Sequence, residues 1–461
     1  MRGAVLIANR GEIAVRIART CRRLGWPSIA AYSEADSTAL HVQVADHAEP
    51  IGPAHPRDSY LCIPELIAAA HRSGARYVHP GYGFLSENTE FAEACARAGL
   101  IFIGPPPGVI RAMGGKAQAR ILAEAAGLPC LPGDAGDDQS DTAFGAAAER
   151  IGYPVMIKAI GGGGGRGMRR VARAEDLPAA LSAARREAAL FGNERLMLEK
   201  LVEDARHIEV QILADGHGNI LHLHERDCTL QRRHQKLVEE CPAPGMDAAL
   251  RAELGRRACA LARAVGYVGA GTVEFIAASP LHPERIWFME MNTRLQVEHP
   301  VTEMVTGLDL VEWQLRIAAG EVLPFTQDDI RLDGHAVEAR LCAEDPARHF
   351  LPSPGRIMAL DLPPEATGLR VDAGFRAGDL LTPFYDSLIA KIIAHAPTRA
   401  EALERLAAAL DQSHAEGVRL NAAFLAAAIR SPEMRGATMT TGFLEAARKS
   451  LVNAALKEPA A

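Results

Sequence analysis

Several features that would mark other protein classes are missing from this 461-residue chain. No run approaches the ~18 consecutive apolar residues of a membrane span, which excludes an integral helical membrane protein. The apolar run Ala4–Ala8 is too short for the core of a secretory signal and gives way at once to Asn9, Arg10 and Gly11. An excess of positive charge is also absent. The formal net charge is -7 and the isoelectric point about 6.2, so there is no electrostatic footprint for nucleic acid or an anionic membrane. The 8 cysteines are scattered without a Cys-x-x-Cys pair, which argues against a disulfide framework or zinc site and for a reduced, cytoplasmic chain. His222, His224 and Cys228 lie close in sequence, but polar strand residues explain them as well as a metal does. Long internal repeats and low-complexity linkers are missing too.

What remains is an ordinary globular composition, 48% hydrophobic and 23% charged. At ~100–200 residues per domain, the length asks for roughly three units. The most informative stretch runs from Phe288 to Pro300. Glu290, Asn292, Arg294, Gln296 and Glu298 occupy every second position, interleaved with Met291, Leu295 and Val297. Strand side chains alternate sides, so an extended run places all five polar groups on one face. An acid, an amide, a guanidinium, an amide and a second acid in file are poor core material. They suit a metal at one end and a small anion at the other. Glu274, within Gly271–Ile276, and Glu290, within Trp287–Asn292, each sit among apolar residues on neighbouring strand-like segments. Facing buried acids need a cation, and beside phosphates Mg²⁺ is the natural one, with Mn²⁺ an admissible substitute. The bland alternative is that arginines such as Arg294 satisfy both acids.

Gly161–Gly165, Arg166 and Gly167 directly follow an apolar strand that carries Lys158. Consecutive glycines let backbone N–H groups turn toward a polyanion, and Lys158 and Arg166 add positive charge; a plain surface turn is the alternative. A Walker loop is excluded around Lys116, because Ile110 stands where its first glycine belongs and Ala117 where its hydroxyl belongs. Gly162, Gly164 and Gly167 mimic a dinucleotide fingerprint. However, Met168–Val171 reads as a returning strand and not a helix, so the glycines form a flap over phosphates. The run Gln231–Lys236 concentrates basic groups that suit nucleotide hydroxyls and a small anion. Arg340, in the alternating His335–Leu341, is a candidate for stabilising negative charge, or equally a structural ion pair.

Along the chain, strand Ala4–Ala8, a helix to Leu24, strand Ser28–Tyr32, helix Ile63–His71 and strand Tyr77–His79 predict a parallel sheet with helices on both faces. Asn9–Glu12 and His79–Asn88 then fall at carboxyl ends of strands, where ligands gather. A helical segment over Val109–Ala126 follows. A small module spans Phe144–Glu199, with strand Pro154–Ile160 and a charged helix Asp176–Phe191. Strands dominate from Val202, and alanine-rich helices close the chain after Thr398.

Taken together, these residues resemble the biotin carboxylase family of ATP-grasp ligases, nearly end to end from Ile7–Ile13 to about Leu444. The likeness rests on His79–Asn88, the glycine loop, Glu225–Cys228, Gln231–Lys236, Glu290–Thr302 and Tyr385–Ser387, with Met291–Glu303 the most specific. It implies an α/β (α+β) ATP-grasp fold with a Rossmann-like pre-ATP-grasp domain at 1–112. A linker and lid would cover 113–203, an ATP-grasp core 204–330, a C-terminal biotin carboxylase domain 331–450 and a tail 451–461. By position, Lys116, Lys158 and Gly163, Gly164, Gly165 and Gly167 would serve ATP, with Glu199 and Lys200 at the adenine and His207, Gln231 and His234 near the ribose and phosphates. Glu274 and Glu290, with Asn292, would hold the metal. Lys236, Arg294, Gln296 and the Val297 backbone would cradle bicarbonate, Glu298 would be the base, and Arg340 would face the biotin ureido oxygen.

The implied reaction is MgATP-dependent carboxylation of carrier-bound biotin by bicarbonate, within a homodimer or larger carboxylase complex containing a carboxyltransferase subunit. No Ala-Met-Lys-Met tetrapeptide occurs, so biotin would arrive on a separate carrier protein or domain, or the chain is part of a longer subunit. A ligase for another carboxylate or amine, an ATP-binding scaffold and a nicotinamide oxidoreductase are the competing readings.

Overall fold

The computed structural model describes residues 2–160, 167–189 and 193–457. Strands β1 (Ala4–Ile7), β2 (Ser28–Tyr32), β3 (His47–Pro50), β4 (Ala75–His79) and β5 (Ile101–Phe102) form a parallel sheet in the order β3-β2-β1-β4-β5. Helix Gly11–Leu24 follows β1, with Ile13 and Ile17 buried against Val5 and Ile7 in one core cluster. It ends at Gly25, whose left-handed φ of 69° suits glycine at a helix C-terminus. The expected parallel α/β unit is therefore formed. Its two ligand-side loops are tied together at the carboxyl edge, where Asn9 Nδ2 donates to Pro80 O and Tyr82 O, both at 2.7 Å.

The helix expected over Val109–Ala126 is broken. Pro107–Gly114 and Lys116–Ala125 are separate helices, because Gly115 takes an extended conformation between them (φ -90°, ψ 107°). Lys116 thereby opens a helix.

β6 (Gly133–Asp134), β7 (Val155–Ala159), β8 (Met168–Val171) and β9 (Leu196–Lys200) make a second, antiparallel sheet in the order β6-β9-β7-β8. β7 and β8 pair with Lys158 opposite Met168, so the glycine loop joins two antiparallel strands, as the returning strand predicts. Gly163, Gly164 and Gly165 lie outside the described residues. At Gly167, φ is +73° and an added Cβ would lie 2.8 Å from that of Ala159, so only glycine fits this flank.

The third sheet is the largest. β10 (Ala205–Ala214), β11 (Ile220–Arg232), β12 (Gln235–Cys241), β13 (Gly269–Ala278), β14 (Ile286–Asn292) and β15 (His335–Cys342) join strands Leu388–Ala396 and Leu369–Ala373. Its order, β14-β13-β10-β11-β12-β15 and then those two strands, carries one sheet from residues 205–292 into residues 335–396. Helix Ala248–Val265 covers part of one face through Leu250, Leu254, Leu261 and Ala262, packed on Ile208, Val210, Val273 and Phe275. Beyond the sheet, helices Arg399–Asp411 and Ala422–Arg430 bury their apolar faces on Val337, Ile392 and Ala394.

Candidate active site

On the largest sheet the pairing register lines up charge. Arg226 lies opposite Glu209, Glu209 opposite Glu274, and Glu274 opposite Glu290, across β11, β10, β13 and β14. Like charges directly opposite each other on neighbouring strands repel, so three acids in a row require cations nearby. One is delivered by a hairpin. The basic run Gln231–Lys236 is no loose loop: β11 ends at Arg232, β12 starts at Gln235, and Arg233 and His234 turn the chain with φ of 47° and 66°. Positive φ at both central positions matches the twist of a two-residue hairpin. Gln231 pairs with Lys236 across that hairpin.

Lys236 then meets three buried carboxylates at once. Its Nζ is 2.5 Å from Glu209 Oε2, 2.9 Å from Glu274 Oε1 and 2.7 Å from Glu298 Oε1. An ammonium carries three N–H donors, and all three are engaged. The surrounding acids drive the Lys236 pKa well above its ordinary value, although burial alone works the other way. Glu274 also accepts from Asn292 Nδ2 at 2.8 Å and Gln296 Nε2 at 2.7 Å, and lies 2.9 Å from His207 Nε2. Against the opposing effect of burial, Lys236 and His207 hold its carboxyl well below the usual range.

Glu290 differs. Burial, and then the charge of Glu274 across the strand pair, push its carboxyl above the ordinary value. Lys116 and Lys158 partly offset this. Two opposed carboxylates, one holding its proton more tightly because of the other, are a donor set that fits a divalent cation.

The extended run predicted over residues 290–298 is only partly formed. β14 stops at Asn292, and residues 293–298 leave the sheet as a turn into helix His299–Thr306. The reason is visible across the domain junction: Glu87, from the loop after β4, accepts the Thr293 backbone N–H at 2.9 Å and Arg294 Nε at 2.8 Å. The polar side chains converge nonetheless, since Arg294 Nη2 donates to Asn292 Oδ1 at 2.9 Å and Nη1 to Gln296 Oε1 at 2.5 Å. Val297 contributes its carbonyl, which accepts from Lys391 at 2.7 Å.

Glu298 is 1% exposed and closes the cluster. Arg340 Nη2 donates to its Oε2 at 2.9 Å, while Arg340 Nε donates to Glu239 Oε1 at 2.6 Å. Burial would raise the Glu298 pKa, but Lys236, Arg340 and Arg226 keep its carboxyl well below the usual range. It is therefore ionised at neutral pH. Burying this many charges costs several kcal/mol per ion and does not favour stability over an apolar core. That cost points to chemistry.

On the other side of the acid row, Lys116 Nζ donates to Ala159 O at 3.3 Å and Lys158 pairs with Glu199. Lys200 donates to the carbonyls of Gly152 and Tyr153, both at 2.9 Å. Gln231 Nε2 reaches Cys228 O at 3.3 Å, and His234 is exposed at the hairpin tip. The suggested grouping of His222, His224 and Cys228 does not form. The two histidine rings stack edge to face, while Cys228 Sγ sits 3.9 Å from Glu298 inside the cluster. Glu209 and Glu239 carried no role in the sequence, and Arg226 and Cys228 stood there only within the family stretch Glu225–Cys228. The available signal was His207-Ile-Glu-Val-Gln211, a strand with an acid among apolar residues, as in Gly271–Ile276.

Residues 1–110 match the family described as biotin carboxylase, N-terminal domain, and residues 338–446 that described as biotin carboxylase C-terminal domain. Residues 115–326 match the carbamoyl-phosphate synthase L chain ATP-binding domain. Biotin carboxylase 2 of Bacillus subtilis (strain 168) is 50% identical over 442 residues, covering 96% of this chain and 98% of that protein. The chain belongs to the biotin carboxylase family. The solved biotin carboxylase domain dimer of Hydrogenobacter thermophilus 2-oxoglutarate carboxylase, in complex with MgADP, ADP and bicarbonate, superposes with a TM-score of 0.94. It is 44% identical, and the match covers 98% of this chain and 99% of that one. The mitochondrial methylcrotonoyl-CoA carboxylase subunit alpha of Rattus norvegicus is 51% identical over 97% of this chain, which spans only 62% of that subunit's length. The glycine loop falls within the ATP-binding domain match at residues 115–326. Among the described residues, no helix is long and apolar enough to cross a membrane.

Proposed function

We propose that this chain carboxylates biotin N1 with bicarbonate at the expense of MgATP, the first half-reaction of a biotin-dependent acyl-CoA carboxylase. The observation that carries the reading is Glu298, an ionised carboxylate bridged between Lys236 and Arg340 beside the paired acids Glu274 and Glu290. Lys116, Lys158, Gly163–Gly165 and Gly167 would hold the nucleotide's phosphates, with Glu199, Lys200, His207, Gln231 and His234 around its base and ribose. Glu274, Glu290 and Asn292 would hold Mg²⁺, which when bound neutralises the oxygens of the transferring phosphate.

Lys236, Arg294, Gln296 and the Val297 backbone would receive bicarbonate. Because every Lys236 N–H already meets a carboxylate, bicarbonate must take a donor from one of them. Releasing Glu298 raises its proton affinity, so substrate binding arms the base at the moment it is needed. Glu298 then takes the bicarbonate proton, and a bicarbonate oxygen attacks the γ-phosphate to give carboxyphosphate and ADP. Positioning and charge neutralisation supply most of this catalysis. Carboxyphosphate breaks to CO₂ and phosphate, the phosphate deprotonates biotin N1, and Arg340 steadies the ureido oxygen while N1 captures CO₂.

The same proposal divides the chain at 1–112, 113–203, 204–330 and 331–450. It makes a biotin carrier protein or domain and a carboxyltransferase subunit its partners, in a homodimer or larger assembly. A cytoplasmic location is supported by 8 free cysteines without a disulfide. The test is ADP release by the purified chain with free biotin and bicarbonate supplied or withheld. Turnover dependent on both is expected, and ATP hydrolysis indifferent to biotin would overturn the reading.

A further inference from the structure

Lys391 interrupts an apolar strand, Leu388–Ala396, and is 0% exposed. A buried ammonium is costly unless its donors are satisfied, so its partners report its role. Glu338 and His299 feel its charge, and four further groups face it. Val297 O is 2.7 Å from Nζ, Glu12 Oε1 3.4 Å and Asp372 Oδ2 3.9 Å, and the Tyr82 ring centroid lies 5.9 Å away. The nearest is a neutral backbone carbonyl. Asp372 is already held by Arg370 through two bonds of 3.0 and 2.7 Å.

The Val297 carbonyl belongs to the peptide that leads into Glu298. Peptide planarity means that fixing this oxygen fixes the plane from which the Glu298 side chain springs, while helix His299–Thr306 fixes the other side. The register adds a second link. Lys391 is the strand partner of Arg340, so one strand pair carries both the cation that touches the Glu298 carboxylate and the cation that holds its backbone.

We propose that Lys391 is a positioning residue for the bicarbonate site: by gripping the Val297 carbonyl it sets the aim of Glu298 toward the substrate. This rests on reading Glu298 as the base. A misplacement of ~1 Å at a reacting group costs about 10²-fold in rate. Lys391→Met should therefore raise the bicarbonate KM about 10-fold and lower kcat up to about 10²-fold, with MgATP affinity within about 2-fold of wild type. The measurements are ADP release against bicarbonate concentration and calorimetric MgATP binding, on wild type, Lys391→Met and Lys391→Arg. A purely structural role would lower the folded fraction, and with it the apparent kcat and the MgATP stoichiometry, while leaving the bicarbonate KM unchanged. Unchanged bicarbonate KM and kcat in a folded Lys391→Met would overturn the proposal. If Lys391→Met fails to bind MgATP, Lys391→Arg decides, since its longer head keeps the charge but displaces the grip. A bicarbonate KM shift with normal MgATP affinity supports the proposal, and no shift overturns it. Wild type without bicarbonate-dependent ADP release would remove the functional reading and this proposal with it.

Discussion

Two buried charge clusters in this molecule are built on opposite plans. At the edge of the parallel sheet, Arg10 grips Asp36 with two bonds of 2.7 and 2.8 Å, and Tyr60 completes the acid at 2.6 Å. One cation meets one anion there, and Asp36 stays below its usual pKa mainly through Arg10, against the pull of burial. Around Lys236 the charges are shared: Glu209, Glu274 and Glu298 all meet Lys236, Glu209 also meets Arg226, and Glu298 and Glu239 share Arg340. A matched pair fixes a loop. An over-subscribed ammonium leaves carboxylates that a metal, a nucleotide phosphate or bicarbonate can rearrange.

Breaking the shared cluster should have the largest effect. Glu298→Gln is expected to lower biotin-dependent ADP release by about 10²–10⁴-fold while calorimetric MgATP binding persists. Lys236→Met should lose activity too and, by leaving buried acids uncompensated, about 3–5 kcal/mol of stability in urea unfolding. Asp36→Asn attacks the matched pair instead. It should cost up to about 3–5 kcal/mol of unfolding free energy, with unchanged specific activity in the folded fraction.

The pH dependence of stability sharpens the contrast. Asp36 has a depressed folded pKa, so its contribution is present above the unfolded carboxyl pKa and is lost as pH falls through the folded value. Glu12 runs the other way: burial lifts its carboxyl to about 7, against the charge of Lys391. Its contribution is present at low pH and is lost as pH rises from the ordinary carboxyl range through about 7. Thermal unfolding of Glu12→Gln between acid and mildly alkaline pH should lose that decline. At the small end, Arg435→Ala severs an exposed pair with Glu404 and should change unfolding by under about 1 kcal/mol.

The sequence exposed the acids and hid their neighbours. Glu274 and Glu290 stood out because each interrupts an apolar strand, and the register indeed pairs them. The glycine flank was legible because Met168–Val171 reads as a strand. Residues 293–298 misled, since alternation alone cannot reveal that Glu87, some 200 positions earlier, bends the chain there. Lys391 gave only a lone charge in an apolar strand and Glu239 one of two adjacent acids, and their partners Val297 and Arg340 come from distant segments. Gly115 signalled its break through residue type, but periodicity on both sides ran across it.

The most direct test of the central claim follows one oxygen. If a bicarbonate oxygen attacks the γ-phosphate at this site, turnover with ¹⁸O-labelled bicarbonate should leave one labelled oxygen in each phosphate released. Phosphate whose one added oxygen comes from solvent would contradict the account.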